Sequence, residues 1–271
     1  MRHETISLTV PGAEGSAPLT LYLPDNFPEL GMDRRRPAII ICPGGGYRFC
    51  SDREGEPVAL RFLGLGYAAF VLRYHTGEKG RWPIPQRQLL AAIAHVRSHA
   101  EEYHVDPKAV VVMGFSAGGH LAGCAGTMWD RPELCEGLEG DLRPDGMVLC
   151  YPVVTSGEKG HAGSFRELLG PRHDELLDSV SLEKCARADA PSTFLWHTAD
   201  DTTVPMENSV LLRDALMNAG VDTQCRIYPH GAHGQSLADK TVYDRANMWK
   251  LSLACAGWVD HCHMWLQLHF G

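Results

Sequence analysis

The sequence predicts an α/β fold with a mostly parallel, doubly wound sheet, helices on both of its faces and a short inserted cap or loop region. Continuous apolar runs, typical of strands buried on both faces, alternate along the chain with amphipathic helical segments. The 271 residues, 44% of them hydrophobic and 21% charged, can bury one sizeable core. We therefore expect a single domain over residues 1–271, with its active residues on loops at the carboxyl ends of the strands.

The first third of the chain predicts a hairpin followed by a βαβ unit. Residues 6–10 and 19–23 alternate with period two around a Pro/Gly/Ser-rich stretch, which indicates an antiparallel hairpin at one edge of the sheet. The apolar run 37–42 predicts a strand buried on both faces. A helix over about 54–65 and a second buried strand over 66–72 follow after a glycine stop. From this point the sequence predicts that strands and helices alternate along the chain.

The middle third continues this alternation and then loses it. Between residues 86 and 103, apolar side chains recur at spacings of three and four and predict one helical face, made by Leu89, Ile93, Val96, Ala100 and Tyr103. The apolar runs 110–115 and 146–151 predict two more buried strands. Residues 152–190 lack this regularity and contain interspersed Gly, Ser, His and Pro, as expected of an inserted loop or small cap that shapes substrate access.

The last third restores the pattern. We expect strands over 193–197 and 223–228, with a helix between them that begins near Pro205 and ends at Gly220. A C-terminal helix is predicted from an apolar seam at spacings of three and four, made by Met248, Leu251, Cys255, Trp258, Cys262 and Trp265. We interpret this seam first as core packing against the sheet and second as a homodimer surface.

Composition and charge exclude several classes of protein. The formal net charge of −8 disfavours nucleic-acid binding, and the one dense basic run, 34–36, is interpreted as a solvated loop. No apolar run reaches the roughly 18 residues of a membrane span. The chain opens into a strand-like alternation without a signal-peptide core, and its nine cysteines are scattered without C-x-x-C spacing. We expect a cytoplasmic protein that binds neither membranes nor nucleic acid and has no disulfide framework.

A Gly-x-Ser-x-Gly turn provides the candidate nucleophile. Gly114-Phe115-Ser116-Ala117-Gly118 follows a β-branched run and precedes a helical run that contains Ala and Leu. In a nucleophile elbow the serine lies on a sharp strand-to-helix turn, and its small neighbours allow the strained backbone to pack. The motif alone occurs by chance in about one chain of this length in ten. Its position between a strand and a helix favours Ser116 as the nucleophile.

Serine catalysis also needs a histidine base and an acid that orients it, and both follow later strands. His233 lies in His-Gly-Ala-His-Gly after the last predicted strand, and its competitor is His230. We favour His233 because it is farther from the strand end and is followed by glycine. Asp201 and Asp200 both follow the preceding strand. We favour Asp201, since it precedes the helix entry at 204–205, whereas Asp200 is suited to capping or bracing the turn.

Backbone amides at two places are suited to an oxyanion hole, because acyl transfer needs donors where negative charge develops. We expect Ala117, which follows the nucleophile, to supply one amide, and Gly45 or Gly46 of the triple-glycine run to supply the others. Tyr47 is expected to border the substrate pocket. His120 is interpreted as a packed histidine rather than a base.

A metal site is not expected from the C-terminal Asp-His-Cys-His cluster at residues 260–263. Successive positions on a helix point in different directions, so these side chains do not converge on one ion as ligands at i and i+4 do.

Five segments together resemble the α/β-hydrolase serine esterases of the acetyl esterase and acetylxylan esterase-like group. They are Pro-Gly-Gly-Gly-Tyr at 43–47, Gly-Phe-Ser-Ala-Gly-Gly-His-Leu-Ala at 114–122, Tyr-Pro-Val-Val-Thr-Ser-Gly at 151–157, Trp-His-Thr-Ala-Asp-Asp-Thr-Thr-Val-Pro-Met-Glu-Asn-Ser at 196–209 and Tyr-Pro-His-Gly-Ala-His-Gly at 228–234. The resemblance implies the α/β-hydrolase fold, a Ser116, Asp201 and His233 triad, and Gly45, Gly46 and Ala117 as oxyanion donors. It also implies short acyl groups, especially acetyl on carbohydrate, and no metal or organic cofactor.

Two departures from this group concern the substrate rather than the reaction. Related esterases usually have histidine where this chain has Cys42, and an acidic residue near the position of Gln88. Our hypothesis is a two-step serine carboxylesterase. A serine peptidase of the prolyl oligopeptidase kind and a catalytically silent hydrolase-fold binding protein are the alternatives.

Overall fold

The computed structural model describes residues 1–271 and contains one eight-stranded sheet in the order β1-β2-β4-β3-β5-β6-β7-β8. The strands, in chain order from β1 to β8, are Arg2–Leu8, Ala17–Leu23, Arg36–Cys42, Ala68–Leu72, Val105–Phe115, Gly146–Cys150, Ser192–Thr198 and Thr223–Tyr228. β1 and β2 form the predicted antiparallel hairpin at the sheet edge, and β2 is antiparallel to β4. All pairs from β4 to β8 are parallel. The predicted fold class is confirmed.

The helices lie on both faces of the sheet. In chain order from α1 to α8 they are Glu56–Gly64, Ile84–Ser98, Ala117–Thr127, Pro132–Cys135, Ala162–Leu169, His173–Leu176, Glu207–Asn218 and Trp258–Phe270. Buried side chains of α2, α3 and α7 join a core of 47 residues on one face. Those of α1 and α8 join a core of 27 residues on the other face. The sheet is therefore apolar on both sides, which explains the continuous apolar runs in its central strands.

The C-terminal helix is shorter than the sequence predicts. Residues 248–250 and 253–255 form single 3₁₀ turns, and α8 begins only at Trp258. Between these turns Ser252 is extended, because its amide donates to Gln235 Oε1 at 2.9 Å and its hydroxyl donates to the His230 carbonyl at 2.8 Å. These tertiary hydrogen bonds replace helical ones. The predicted helix over 248–257 is wrong, although Trp258, Cys262 and Trp265 are buried as expected.

The predicted helix over 86–103 also ends early. α2 stops at Ser98, and the chain turns back through residues 99–104 to enter β5. Tyr103 still packs in the core, with its ring 5.8 Å from that of Phe70, so its apolar spacing reflects burial rather than helix. Residues 152–190 contain only short helices and 3₁₀ turns, as expected. That the chain is a single domain, and that α8 forms a dimer surface, stay predictions.

None of the helices combines the length and the apolar character needed to cross a membrane. The nine cysteines are all free thiols, and four of them are partly exposed.

Candidate active site

Ser116 lies on a strained turn between β5 and α3. Its backbone has φ 53° and ψ −117°, in the left-handed half of the Ramachandran map that side chains rarely adopt. The turn can close only with glycines, because a Cβ at Gly114 would collide with the carbonyl oxygen of Gly118, and one at Gly118 with that of Cys42. The Ser116 amide donates to the Cys150 carbonyl at 3.0 Å and ties the turn to β6. The predicted strand–turn–helix context of Ser116 is thus confirmed.

The structure brings Ser116, His233 and Asp201 together in one line of hydrogen bonds. Ser116 Oγ lies 2.8 Å from His233 Nε2, and His233 Nδ1 lies 2.6 Å from Asp201 Oδ2. The three residues follow the ends of β5, β8 and β7, which lie near one another at the carboxyl edge of the sheet. Asp201 is fully buried at its side chain, whereas His233 keeps 18% of its side-chain surface. This is the geometry in which a histidine can remove the serine proton.

The two neighbouring candidates occupy supporting positions. Asp200 is exposed, and its Oδ1 accepts a hydrogen bond from the Gly231 amide at 2.7 Å. His230 keeps 76% of its side-chain surface and faces Asp200 at 3.4 Å. Asp200 therefore braces the turn that precedes His233, as expected. Neither Asp200 nor His230 contacts Ser116.

A second histidine, which the sequence reasoning did not identify, lies beside Asp201: His197 donates its Nε2–H to the Val204 carbonyl at 2.8 Å. The Oδ1 of Asp201 accepts the amides of Thr203 and Val204 at 2.9 and 3.0 Å, and the Oδ2 of Asp201 lies 3.4 Å from His197 Nε2. Burial opposes ionisation of Asp201, but His197 and His233 beside its carboxylate and the Val204 amide outweigh it and hold the pKa of Asp201 well below its usual range. The signal in the sequence was an imidazole, His197, directly after the apolar residues 194–196 of β7.

Three backbone amides near Ser116 have no acceptor within the protein. These are the amides of Gly45, Gly46 and Ala117, the predicted oxyanion donors. Ala117 is the first residue of α3, whose leading amides have no intrahelical partner. By contrast, the Gly44 amide donates to Glu54 Oε2 at 2.8 Å and is unavailable to a ligand. The oxyanion role of the three free amides stays a prediction.

Tyr47 does not border the pocket, which corrects the prediction of a substrate-binding role. Its side chain is 1% exposed, and its hydroxyl lies 2.8 Å from His120 Nδ1 in the interior. His120 Nε2 in turn lies 2.8 Å from the Val180 carbonyl, and burial lowers the pKa of His120 to about 4. His120 is therefore neutral and donates to Val180. The interpretation of His120 as a packed residue is confirmed.

The cavity in front of Ser116 has a volume of about 340 Å³, and eleven of the twelve residues that line it are glycines or carry polar or charged side chains. Phe49 is its one hydrophobic residue, and the charged or polar side chains around Ser116 and His233 are Arg48, Ser51, Arg53, Glu54, His161 and Thr203. His161 comes from the inserted segment. Its Nδ1 accepts from the Ser164 hydroxyl at 2.8 Å, so the Nε2–H has no partner in the protein and is free to donate into the cavity. A polar cavity of this size suits a small hydroxylated ligand.

The C-terminal histidines point apart. His261 Nδ1 lies 2.8 Å from the Tyr228 hydroxyl, and His263 Nδ1 lies 2.7 Å from that of Tyr67. Cys262 between them is buried in the core. No group of three or more His, Cys, Asp or Glu side chains in the chain is arranged to hold a metal ion.

Two protein-family models match the chain. The model described as BD-FAE matches residues 19–147, and the model of the prolyl oligopeptidase family matches residues 170–258. The first match contains the glycine loop and Ser116, and the second contains Asp201 and His233.

Two curated relatives and one solved structure are similar to this chain over most of its length. Endo-1,4-beta-xylanase B of Butyrivibrio fibrisolvens is 38% identical over 232 residues, which cover 82% of this chain and 36% of that protein. The acetylxylan esterase of Xylanibacter ruminicola is 31% identical over 228 residues, which cover 82% and 44%. The chain thus spans less than half the length of these two relatives. The acetyl ester-xyloside bifunctional hydrolase of Caldicellulosiruptor lactoaceticus superposes with a TM-score of 0.81 at 34% identity, over 98% of this chain and 96% of that one.

Proposed function

The chain belongs to the α/β-hydrolase esterases, and on that premise we propose that it is a serine carboxylesterase that hydrolyses short-chain acyl esters, above all acetyl esters of carbohydrates. The observation that carries the proposal is the hydrogen-bonded line from Ser116 Oγ through His233 to Asp201. The free amides of Gly45, Gly46 and Ala117 beside it support acyl transfer rather than another use of serine.

In the first step, Ser116 Oγ attacks the ester carbonyl carbon while His233 Nε2 takes the serine proton. The carbonyl oxygen becomes an oxyanion and accepts hydrogen bonds from the amides of Gly45, Gly46 and Ala117. Asp201 holds the His233 ring with its Nδ1–H toward the carboxylate and stabilises the imidazolium. The bond to the alcohol oxygen then breaks, the alcohol takes the proton from His233 Nε2, and the acyl group stays on Ser116.

In the second step, a water molecule loses a proton to His233 and attacks the acyl carbon. The tetrahedral intermediate collapses, the proton returns from His233 to Ser116 Oγ, and the carboxylic acid leaves. Side chains, backbone amides and water supply every group that this cycle uses, so the proposal requires no cofactor.

The polar cavity supports a carbohydrate alcohol as the leaving group. Hydroxyl groups of a sugar can bond to Arg48, Ser51, His161 and Thr203, all of which line the cavity. A long acyl chain would need an apolar tunnel, and only the exposed ring of Phe49 is apolar here. Two proteins similar to this chain are named an acetylxylan esterase and an acetyl ester-xyloside bifunctional hydrolase. Acetylated xylo-oligosaccharides are therefore the substrates to test first.

A fluorophosphonate probe followed by peptide mapping tests the nucleophile. We expect a single labelled peptide that contains Ser116, and no label in Ser116→Ala. Hydrolysis of aryl acetates should fall to background in the same variant. Folded wild-type protein that neither reacts with the probe nor releases acetate would leave the catalytically silent binding protein as the better account.

A serine peptidase is the second candidate, because the prolyl oligopeptidase model matches residues 170–258. The hydrogen-bonded series of Ser116, His233 and Asp201 does not by itself show whether the substrate is an ester or an amide. Parallel assays with aryl acetates, acetylated xylo-oligosaccharides and peptide anilides distinguish them. We expect turnover of the first two only, and turnover of the anilides at a comparable kcat/KM would favour the peptidase.

We also propose that the protein works in the cytoplasm, in agreement with its nine free thiols. Fractionation of the native host with an antibody against the chain tests this location. Recovery with the secreted or membrane fraction would contradict it.

A further inference from the structure

Glu54 has a buried carboxylate that the proposed chemistry does not use. It ends a 3₁₀ turn over Asp52–Glu54, is 3% exposed and makes no ion pair. Burying a carboxylate is costly unless hydrogen bonds replace its water. Both of its oxygens are bonded: Oε2 accepts the Gly44 amide at 2.8 Å, and Oε1 accepts the Tyr151 hydroxyl at 2.7 Å. It borders the cavity of Ser116 and forms no hydrogen bond with Ser116 or His233, so its position calls for an explanation.

The bond to Gly44 fixes the first residue of the oxyanion loop. Gly44 lies so close to the elbow that a Cβ there would come within 2.7 Å of the Phe115 carbonyl and 3.0 Å of Ser116 Cβ. With the Gly44 amide bound to Glu54, the amides of Gly45 and Gly46 are left free. The loop is further closed by the Ser51 amide, which donates to the Gly44 carbonyl at 2.9 Å. Glu54 thus binds the one amide of the glycine run that has an acceptor within the protein.

The bond to Tyr151 leads to the loop that carries His233. The Tyr151 oxygen accepts the Ser236 amide at 2.9 Å, three residues after His233. The Tyr151 ring meets the His233 ring edge to face, with centroids 5.2 Å apart. The turn of Glu54 is also bonded to this loop directly, since Arg53 Nη2 donates to the Gly234 carbonyl at 3.0 Å.

We propose that Glu54 is a positioning residue whose carboxylate holds the oxyanion loop and the His233 loop in fixed relation, through Gly44 on one side and through Tyr151 and Ser236 on the other. This inference rests on the proposed function. Acyl transfer requires the oxyanion donors and the proton acceptor to be placed correctly about one carbonyl group, and these groups come from loops far apart in the chain. Glu54 connects the two loops and forms no hydrogen bond with Ser116 or His233.

The test compares Glu54→Gln, Glu54→Ala and Tyr151→Phe on aryl acetates, with rates expressed per site titrated by fluorophosphonate. Glu54→Ala is expected to lower kcat about 10- to 100-fold, which is less than the decrease caused by removing one oxyanion donor. KM should change less than about 3-fold. Glu54→Gln keeps an acceptor for Gly44 and should retain kcat within about 5-fold of wild type. Tyr151→Phe leaves the ring against His233 and should lower kcat by about 5- to 20-fold.

Affinity for an alkyl boronic acid, which forms a tetrahedral adduct with serine, gives a second measurement that a purely structural role would not change. It should weaken in the same order as kcat falls. The matched control is Glu56→Gln, two residues away and exposed at the start of α1, for which we expect wild-type kcat and boronate affinity.

Wild-type kcat and boronate affinity in Glu54→Ala would overturn the inference while leaving the proposed function in place. Absence of turnover and of labelling in the wild type would instead refute the proposed function. If Glu54→Ala does not fold, Tyr151→Phe decides the question: unchanged kcat per titrated site and unchanged boronate affinity in that variant would overturn the inference.

Discussion

Replacing His120 with glutamine should make the protein less sensitive to acid. His120 is fully buried on α3, between the Tyr47 hydroxyl and the Val180 carbonyl of the inserted segment. Burial lowers its pKa to about 4, whereas a histidine in an unfolded chain titrates near its ordinary value of about 6.5. Between these two values the unfolded chain binds a proton that the folded protein does not, so stability falls as the pH falls.

The size of the effect follows from this difference. Each pH unit between the two values is worth about 1.4 kcal/mol, so His120 should remove about 3 kcal/mol of stability as the pH falls from 6.5 to 4. The contribution is fully present above pH 6.5. Glutamine can still donate an amide hydrogen bond toward Val180 but does not titrate, so His120→Gln lacks this part of the acid sensitivity.

Urea unfolding at a series of pH values from 7.5 to 4 provides the measurement. His120→Gln is expected to be the less stable protein at pH 7.5, and its deficit relative to wild type should shrink by about 3 kcal/mol by pH 4. His3→Gln, at an exposed position of the edge strand β1, is the control. Its free energy of unfolding should differ from that of wild type by the same amount at every pH. A deficit that stays constant from pH 7.5 to 4 would refute the reasoning.

Three further predictions concern the catalytic line and the inserted segment. Asp201→Asn should lower kcat on aryl acetates by about 10³- to 10⁴-fold, because the amide favours the wrong His233 tautomer. Asp200→Asn should lower kcat by less than about 10-fold. If Asp200→Asn had the larger effect, Asp200 would be the acid of the triad. His161→Ala should raise KM for acetylated xylo-oligosaccharides several-fold and leave aryl acetate kinetics unchanged, and equal effects on both substrates would argue against a bond to the sugar. Leu182→Ala should lower the free energy of unfolding by about 2–5 kcal/mol in urea titrations, since Leu182 is buried against Gly123 of α3; a loss below about 1 kcal/mol would mean that the inserted segment is not tightly packed there.

The residues of the site that could be predicted from the sequence are those that belong to short local motifs. Ser116, Asp201 and His233 each follow the end of a predicted strand, so strand prediction alone brings them to one edge of the sheet. The choice of Asp201 over Asp200 also depended on a local feature, the helix entry that follows, and the observed amide bonds from Thr203 and Val204 agree with it.

The parts that it did not predict depend on contacts between distant segments. Glu54 bonds to Tyr151 97 residues later, and nothing near Glu54 in the chain indicates that contact. Tyr47 was expected at the pocket, but its backbone has a positive φ of 62° and its hydroxyl lies against buried His120 in the interior. The apolar spacing over 248–255 suggested a helix, yet Met248 of that seam is 37% exposed and lies in a single 3₁₀ turn. Periodicity does not specify what each side chain meets.

The inserted segment, which contributes His161 to the cavity, leaves the pairing of β6 with β7 unbroken. Gly146–Cys150 lies in unbroken parallel register with residues 192–196, although 41 residues intervene between the two paired segments. Insertions or deletions at exposed positions within 157–179 need not disturb this ladder, and so need not displace Ser116 or Asp201 on either side of it. Changes at these positions could therefore alter the cavity wall around the same serine, provided that the bonds of the segment through Val154, Val180 and Leu182 are kept.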